Sequence, residues 1–100
     1  MNYNPLLSLL GLARAASLCS FGHGAAKAAL RDKKARLCLV CGDASPRLLE
    51  EFEYLASAAN VPLRRIPAAS ADIKRATQYK AAVLTVNDRG FADKMASLIA

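Results

Sequence analysis

The chain has 100 residues, of which 54% are hydrophobic and 22% are charged. This length suits one domain, predicted over residues 1–100, and the apolar fraction excludes an intrinsically disordered chain. No stretch approaches the roughly 20 apolar residues that a membrane helix needs. The apolar run from Leu6 to Leu10 follows no basic residue and is interrupted at Gly11 and Arg14. We therefore expect a core helix there rather than a secretory signal, and a cytoplasmic protein.

The excess of positive charge is concentrated in two segments. Fourteen Lys and Arg against eight Asp and Glu give a net charge of +6. Residues 1–36 carry a net +5 and residues 64–80 a net +4, whereas residues 37–63 carry −3. Such segregation is compatible with a surface that binds a polyanion, and equally with a mildly basic domain that has no anionic ligand.

The first half of the chain alternates between helical and extended patterns. Asn4-Pro5 predicts a helix start with Asn4 as the N-cap, because proline suits the first turn of a helix. Residues 17–21 predict a short edge strand, and Gly22-His23-Gly24 predicts a turn. An alanine-rich helix is then expected to reach about Asp32, followed by a buried strand over residues 36–41.

The second half continues this alternation. The predicted elements are a helix capped by Ser45, a strand from Leu63 to Ile66, a short helix capped by Ser70, a strand from Ala81 to Val86 and a helix capped by Asp88. Strands without polar alternation are covered on both faces of their sheet. We therefore predict the fold class α/β, a three-layer α/β/α sandwich with a small mixed, mostly four-stranded sheet.

The three cysteines do not form a convincing metal or redox site. Cys38 and Cys41 have the C-x-x-C spacing of such sites, but they lie in one predicted strand. Side chains three residues apart in a strand point to opposite faces of the sheet, so the two sulfurs cannot converge. Cys19 leaves an odd count, and the chain has one histidine. We expect free thiols, no bound metal and no cofactor.

No motif points clearly to catalysis. His23 is the only histidine, and no acidic residue can be placed beside it from the sequence. Gly22-x-Gly24 is too short for a dinucleotide fingerprint, and there is no P-loop. Asp43 and Asp88 are suited to helix starts. A small-molecule or hydrolase site at the ends of the strands near these two residues is an alternative hypothesis. We do not expect an enzyme.

Positively charged residues follow the two glycines of the predicted turn. Lys27, Arg31 and Lys34 recur at helical spacing, which predicts a basic stripe along the second helix. Glycines ahead of a helix can leave backbone N–H groups open to phosphate. A tight turn followed by a solvated helix face is the simpler interpretation of the same residues.

Six short motifs occur in a fixed order over residues 6–99. They are Leu9 to Ala16, Gly22, Lys34 to Leu37, Asp43 to Ser45, Asn60 to Pro62, and Asp88 to Ala92. In order and spacing they resemble the bacterial YlxQ-type proteins of the L-seven-Ae superfamily of kink-turn-binding ribosomal proteins. That superfamily also includes the large-subunit L-thirty-e protein and the Gadd-type proteins.

The resemblance implies an α/β/α sandwich that binds RNA, often at kink-turns. The regions used would be Gly22 to Arg31 and about Lys74 to Lys80, which overlap the two basic segments. Tyr79 would offer an aromatic face to an unpaired base. The implied RNA-binding residues are Gly22, His23, Gly24, Lys27, Arg31, Lys34, Lys74, Arg75, Gln78, Tyr79 and Lys80.

The family's kink-turn signature is degenerate in this chain. Where the signature has an Asn-Glu pair and then a lysine, this sequence has Gly24, Ala25 and Ala28. The resemblance therefore implies a monomeric, non-catalytic RNA-binding protein associated with the ribosome or translation, with kink-turn RNA or another structured RNA as its partner. The alternative is a protein–protein adaptor on the same fold with an acidic partner.

Overall fold

A computed structural model of the chain describes residues 3–99. Helices and strands alternate almost throughout. In chain order they are α1 (Asn4–Ala15), β1 (Cys19–Phe21), α2 (His23–Arg31), β2 (Leu37–Cys41), α3 (Pro46–Ala58), β3 (Leu63–Ile66), α4 (Ser70–Thr77), β4 (Val83–Val86) and α5 (Arg89–Ile99). None of the helices described is long and apolar enough to cross a membrane.

The four strands form one mixed sheet in the order β1-β4-β2-β3. Strand β2 runs parallel to β3 and antiparallel to β4, and β4 is also antiparallel to β1. The register places Cys38 between Leu63 on one side and Thr85 on the other. The prediction of a small mixed sheet with the first strand at its edge is confirmed.

Helices cover both faces of the sheet. On one face α1, α4 and α5 bury Leu10, Ile73 and Met95 against the sheet, and on the other face α2 and α3 bury Leu30 and Phe52. Every residue of the two central strands, β2 and β4, is buried. A strand that is apolar on both faces requires helices on both sides, which is why the pattern predicted the three-layer sandwich correctly.

The two cysteines of the C-x-x-C motif lie on opposite faces of the sheet. Cys38 packs in the cluster beneath α2 and α3, and Cys41 packs in the cluster beneath α1 and α5. Both thiols are free, and so is that of Cys19. The strand geometry therefore separates the two sulfurs as predicted.

Two of the predicted helix caps are correct. The Ser45 hydroxyl accepts a hydrogen bond from the Leu48 N–H at 3.2 Å, and an Asp88 carboxylate oxygen accepts one from the Phe91 N–H at 2.9 Å. These bonds satisfy backbone donors that have no acceptor inside the helix.

The other two predicted caps are each wrong by one residue. Helix α1 already includes Asn4, so its N-cap is Tyr3. Helix α4 includes Ser70, and its N-cap is Ala69, whose N–H donates to the Asp72 carboxylate at 2.9 Å. The capping carboxylate therefore belongs to the third residue of the helix, Asp72, and not to the residue that precedes the helix. A search for a capping residue before the helix does not find such a contact.

The start of α2 and the position of Lys34 differ from the prediction, whereas the helix ends near Asp32 as expected. Gly22 is the N-cap, so His23 and Gly24 form the first turn of the helix instead of a turn before it. The helix ends at Arg31, and Lys34 therefore lies in the loop that follows. The predicted stripe is helical only for Lys27 and Arg31.

Candidate nucleic-acid interface

Helix α2 begins directly after the edge strand β1. Gly22, the residue between them, has φ = +93°, a conformation that residues with a side chain rarely adopt. Its N–H donates to the Val83 carbonyl at 2.9 Å, which ties the bend to the sheet. The N–H groups of His23, Gly24 and Ala25 come first in the helix and so have no acceptor within it. They form the positive end of the helix dipole, which attracts anions.

The His23 side chain points across to helix α3. Its Nε2 lies 2.9 Å from Oε1 of Glu51, and its ring meets the ring of Phe52 edge-on at 5.4 Å between centroids. The ring therefore spans the gap between α2 and α3. A hydrogen bond from Nε2 to RNA would require His23 to leave Glu51, although half of the side chain is exposed while that bond is kept.

The segment that follows α4 presents an aromatic ring at the surface. Gln78 ends the helix in the left-handed conformation at φ = +70°, and the buried Thr77 hydroxyl donates to the Ile73 carbonyl at 2.7 Å. The same hydroxyl accepts a hydrogen bond from the Tyr79 N–H at 3.2 Å. These contacts fix the backbone on which Tyr79 is carried. The residue is 50% exposed.

Tyr79 contacts two residues from distant parts of the chain. Its ring stacks on Phe21 of β1 with 5.1 Å between centroids and 7° between the planes. The guanidinium carbon of Arg14, in the last turn of α1, lies over the Tyr79 ring at 5.3 Å from its centroid. Helices α1 and α4 approach closely at Gly11, where a Cβ would lie 3.0 Å from the Ala76 carbonyl oxygen. Gly11 thus lets Arg14, one turn further along the same face, reach Tyr79.

A cleft joins this ring to the start of α2. Its volume is about 550 Å³, and Arg14, Phe21, Ala25 and Tyr79 all line it. The structure therefore brings the first turn of α2 next to the segment before β4. Arg14 and Phe21 are additional residues of this site. Sequence patterns could not identify them because their role depends on contacts with Tyr79, which lies about sixty residues away in the chain.

Lys27 and Arg31 lie on a different side of α2. Lys27 is two residues beyond Ala25, which places it about 200° around the helix. Both side chains line a groove of about 300 Å³ between α2 and α3, whose floor includes Leu30 and Leu55. The basic stripe and the Tyr79 cleft are thus separate features on the two flanks of one helix.

The remaining basic candidates differ in how far their charges are neutralised. Nε of Arg31 lies 3.1 Å from the Asp32 carboxylate, and Arg75 pairs with Asp72 within α4. The hydrogen bond with Asp32 raises the pKa of Arg31, and the same bond lowers the pKa of the Asp32 carboxyl. Over residues 3–99, no carboxylate pairs with the exposed residues Lys27, Lys34, Lys74 and Lys80. Gln78 is also exposed.

The acids considered for a hydrolase site act in helix capping. The Asp43 carboxylate accepts hydrogen bonds from the Ser70 N–H at 3.1 Å and the Ser70 hydroxyl at 3.1 Å, at the start of α4. Asp88 directly precedes α5 and accepts a hydrogen bond from the Phe91 N–H of that helix at 2.9 Å. Within the described residues, no group of three or more His, Cys, Asp or Glu side chains is placed to hold a metal ion.

The chain was also compared with known proteins. A family model described as the ribosomal protein L7Ae/L30e/S12e/Gadd45 family matches residues 6–96. The chain belongs to this family. No curated protein matches the chain.

Two solved structures have a fold similar to that of this chain. A Bacillus halodurans protein of unknown function is 26% identical over 93% of this chain and 94% of its own length, with a TM-score of 0.86. A 15.5 kD RNA-binding protein of Giardia lamblia is 17% identical over 94% of this chain and 83% of its own length, with a TM-score of 0.78. These similarities agree with the α/β sandwich described above.

Proposed function

We propose that this chain is a non-catalytic RNA-binding protein of the bacterial YlxQ type, a cytoplasmic monomer that acts with the ribosome or the translation machinery. The observation that carries the proposal is the cleft at which the first turn of α2 meets Tyr79. Exposed N–H groups at a helix start bind phosphate, and an exposed aromatic ring stacks on a base. The family membership and the RNA-binding protein of Giardia lamblia, which shares the fold, support the same function.

The charge distribution also supports an RNA ligand. The net charge of +6 leaves several lysines without an acidic partner in the described structure, including Lys74 and Lys80 on either side of Tyr79 in the sequence. Cations that neutralise phosphates release condensed counterions, so affinity falls steeply as salt rises. Lys27 and Arg31 would contact phosphates on the other flank of α2, and Lys34 would do so from the loop that follows the helix.

We further propose that the protein recognises the backbone and the bulge of a structured RNA rather than the sheared G·A pairs of a kink-turn. The family's signature positions hold Gly24, Ala25 and Ala28, which have no polar side-chain atom to offer a base edge. Ala25 is exposed at the cleft, where the signature has a glutamate. Contact at this helix start would therefore come from backbone N–H groups.

Titration of three labelled RNAs at two salt concentrations tests this proposal. They are a kink-turn, the same RNA with its G·A pairs replaced by G·C pairs and its bulge retained, and a straight duplex. We expect the first two to bind equally, and all binding to weaken at the higher salt. A marked preference for the intact kink-turn would contradict this proposal, because the protein would then depend on the G·A pairs or on the kink that they form. Absence of binding to all three RNAs at both salts would contradict RNA binding itself.

A protein–protein adaptor is the second candidate function, and the groove between α2 and α3 favours it. Leu30 and Leu55 form part of an apolar floor, and Lys27, Arg31 and Lys33 stand around it. Such a groove suits an acidic amphipathic segment of a partner protein. A high ratio of absorbance at 260 to 280 nm in the purified protein would favour RNA, and a nucleic-acid-free complex with an acidic protein would favour the adaptor.

A further inference from the structure

A cleft of about 430 Å³ lies at the end of the sheet away from Tyr79. Lys33, Arg36 and Arg89 are among the residues that line it, and we call it the far cleft. Tyr79 precedes the first residue of β4, whereas the far cleft lies at the last residue of this strand. There the Val86 carbonyl accepts a hydrogen bond from the Arg36 N–H at 2.8 Å. The far cleft and the Tyr79 cleft are therefore at opposite ends of the sheet.

The far cleft has an excess of positive charge. Its three cations, Lys33, Arg36 and Arg89, are all exposed, and none of them pairs with a carboxylate of residues 3–99. Asp93 is the one acid among the residues described as lining it. An unpaired guanidinium group can bind a phosphate through two hydrogen bonds, so this surface suits a phosphate-bearing ligand.

Two of these cations occupy positions that the fold itself disfavours. Lys33 has φ = +59°, in the left-handed region where glycine is less strained. Arg89 is the first residue of α5, and the positive end of the helix dipole repels a cation there. Neither charge gains an acidic partner in the part of the chain that the structure describes. Residues that oppose local preference without compensation are expected where a protein binds a ligand.

We propose that the far cleft binds phosphates of the same RNA that contacts the basic flank of α2, so that the RNA reaches from one end of the sheet to the other. Lys33 lines both the far cleft and the groove between α2 and α3, which makes the two basic surfaces continuous. Helix α2 has nine residues and is about 13 Å long, so the basic path exceeds the length of a single phosphate group and fits an extended polyanion. The inference rests on the proposed function and adds a site to which neither Tyr79 nor the first turn of α2 contributes.

Removal of the two guanidinium groups tests the far cleft. Arg36→Gln with Arg89→Gln keeps long polar side chains at both positions. The probes are two RNA hairpins with the same bulge, one with a stem longer than the 30 Å extent of the protein and one with a stem of half that length. For the long hairpin we expect at least about a tenfold loss of affinity at low salt, and a slope of log affinity against log salt that decreases by about two. The short hairpin should lose much less.

A matched control removes two positive charges elsewhere. Arg47→Gln with Lys94→Gln changes exposed residues of α3 and α5 that line neither the far cleft nor the Tyr79 cleft. This control should keep the wild-type slope for both hairpins, because it removes no phosphate contact.

Variants at Lys33 separate the charge from the stability of the fold. Lys33→Gly removes the ammonium group and relieves the left-handed conformation, since glycine is favoured just after the end of a helix. We expect the midpoint of urea unfolding to rise while the salt slope for the long hairpin decreases by about one. Lys33→Arg keeps the charge and should retain the slope. A weaker but more stable protein cannot be explained by misfolding.

The outcomes distinguish failure of this inference from failure of RNA binding. Wild-type affinity and slope in both the Arg36/Arg89 variant and Lys33→Gly would overturn the far cleft as an RNA site, leave RNA binding intact and favour an acidic protein as its ligand. Equal losses in the Arg47/Lys94 control would also overturn it, because RNA would then respond to net charge alone. Absence of wild-type binding to both hairpins would overturn the proposed function and this inference together.

Discussion

Nε2 of His23 and Oε1 of Glu51 lie 2.9 Å apart, so the first turn of α2 is bonded to the middle of α3. The pair is exposed, with side-chain exposures of 51% and 37%, and it contributes less than about 1 kcal/mol to stability. It matters more for function, since this histidine stands at the helix start where RNA is proposed to bind.

We predict that Glu51→Ala raises RNA affinity, because it frees His23 and removes a negative charge. The same substitution in a His23→Ala background measures the charge effect alone. If His23 contacts RNA, the gain in affinity will be larger in the wild-type background than in the His23→Ala background. Equal gains would show that His23 has a structural role between α2 and α3. Fluorescence anisotropy with one RNA hairpin is sufficient for all four proteins.

Two glycines at the start of α2 are predicted to respond oppositely to alanine. A Cβ would meet nothing within 4 Å at either Gly22 or Gly24, so only the backbone decides the effect. Gly22 has φ = +93°, and Gly22→Ala should cost about 1–3 kcal/mol in the free energy of unfolding. Gly24 is helical, and Gly24→Ala should stabilise by up to about 1 kcal/mol.

Urea unfolding of the two variants compares these effects directly. The midpoint should fall for Gly22→Ala and should stay or rise for Gly24→Ala, with the same slope in both. A stable Gly22→Ala protein would mean that the junction between β1 and α2 can adopt another backbone conformation.

The parts of the fold that could be predicted are those with strong local signals. The apolar run of β2 and the serine-proline start of α3 determine these elements within a few neighbouring residues, and prolines on both sides delimit β3 as observed. The start of α2 was missed because two glycines normally mark a turn, whereas here Gly22 alone makes the bend.

The candidate site was predictable only in part, for a related reason. The basic residues and Tyr79 are visible in the sequence, but their grouping depends on how α2 is rotated and on which helices pack together. Arg14 reaches Tyr79 only because α1 packs closely on α4. Such contacts between distant residues have no signature in a local pattern.

Removal of the caps at Asp43 and Asp88 should affect stability and leave RNA binding intact. Each carboxylate accepts a backbone N–H at the start of a helix, from Ser70 and Phe91 respectively. We expect Asp43→Ala and Asp88→Ala each to cost about 1 kcal/mol in the free energy of unfolding. Asp88→Asn should cost less, since asparagine is also a good N-cap. A loss of RNA affinity without a loss of stability would instead point to a ligand site at these strand ends.

Cys19 should react with alkylating reagents only at high pH. Burial raises its pKa from 9.0 to about 11, so at pH 8 its thiolate is about a hundredfold scarcer than in the unfolded chain. Iodoacetamide should therefore modify native Cys19 far more slowly at pH 8 than in urea. Its rate should still rise about tenfold per unit between pH 9 and 10. Mass spectrometry identifies the site, and a rate that levels off near pH 9 would contradict the raised pKa.

The raised pKa values of the buried thiols also make the stability of the folded state decrease at high pH. Burial raises the pKa of Cys38 and that of Cys41 to about 12, so the folded state holds these protons more tightly than the unfolded state does. The contribution of each thiol to stability is complete below about pH 9 and is lost as the pH rises toward 12. Substitution of Cys38 by alanine should make stability less dependent on pH in that range.

Charge reversal tests whether the basic flank of α2 contributes to RNA binding. Lys27 and Arg31 line the groove toward α3, away from the Tyr79 cleft, and Arg31 is paired with Asp32. If RNA extends across both flanks of the helix, Lys27→Glu with Arg31→Glu should nearly abolish binding. We expect a loss of at least about a hundredfold at low salt, since two phosphate contacts become repulsive.

A matched control keeps the same change in net charge. Arg47→Glu with Lys94→Glu alters exposed residues of α3 and α5 that line neither the cleft nor the groove. This control should lose no more than a few fold in affinity, through the weaker long-range field alone. Equal losses in the two double variants would mean that RNA responds only to the total charge. Unchanged affinity in the Lys27/Arg31 variant would confine the RNA to the side of α2 on which Tyr79 lies.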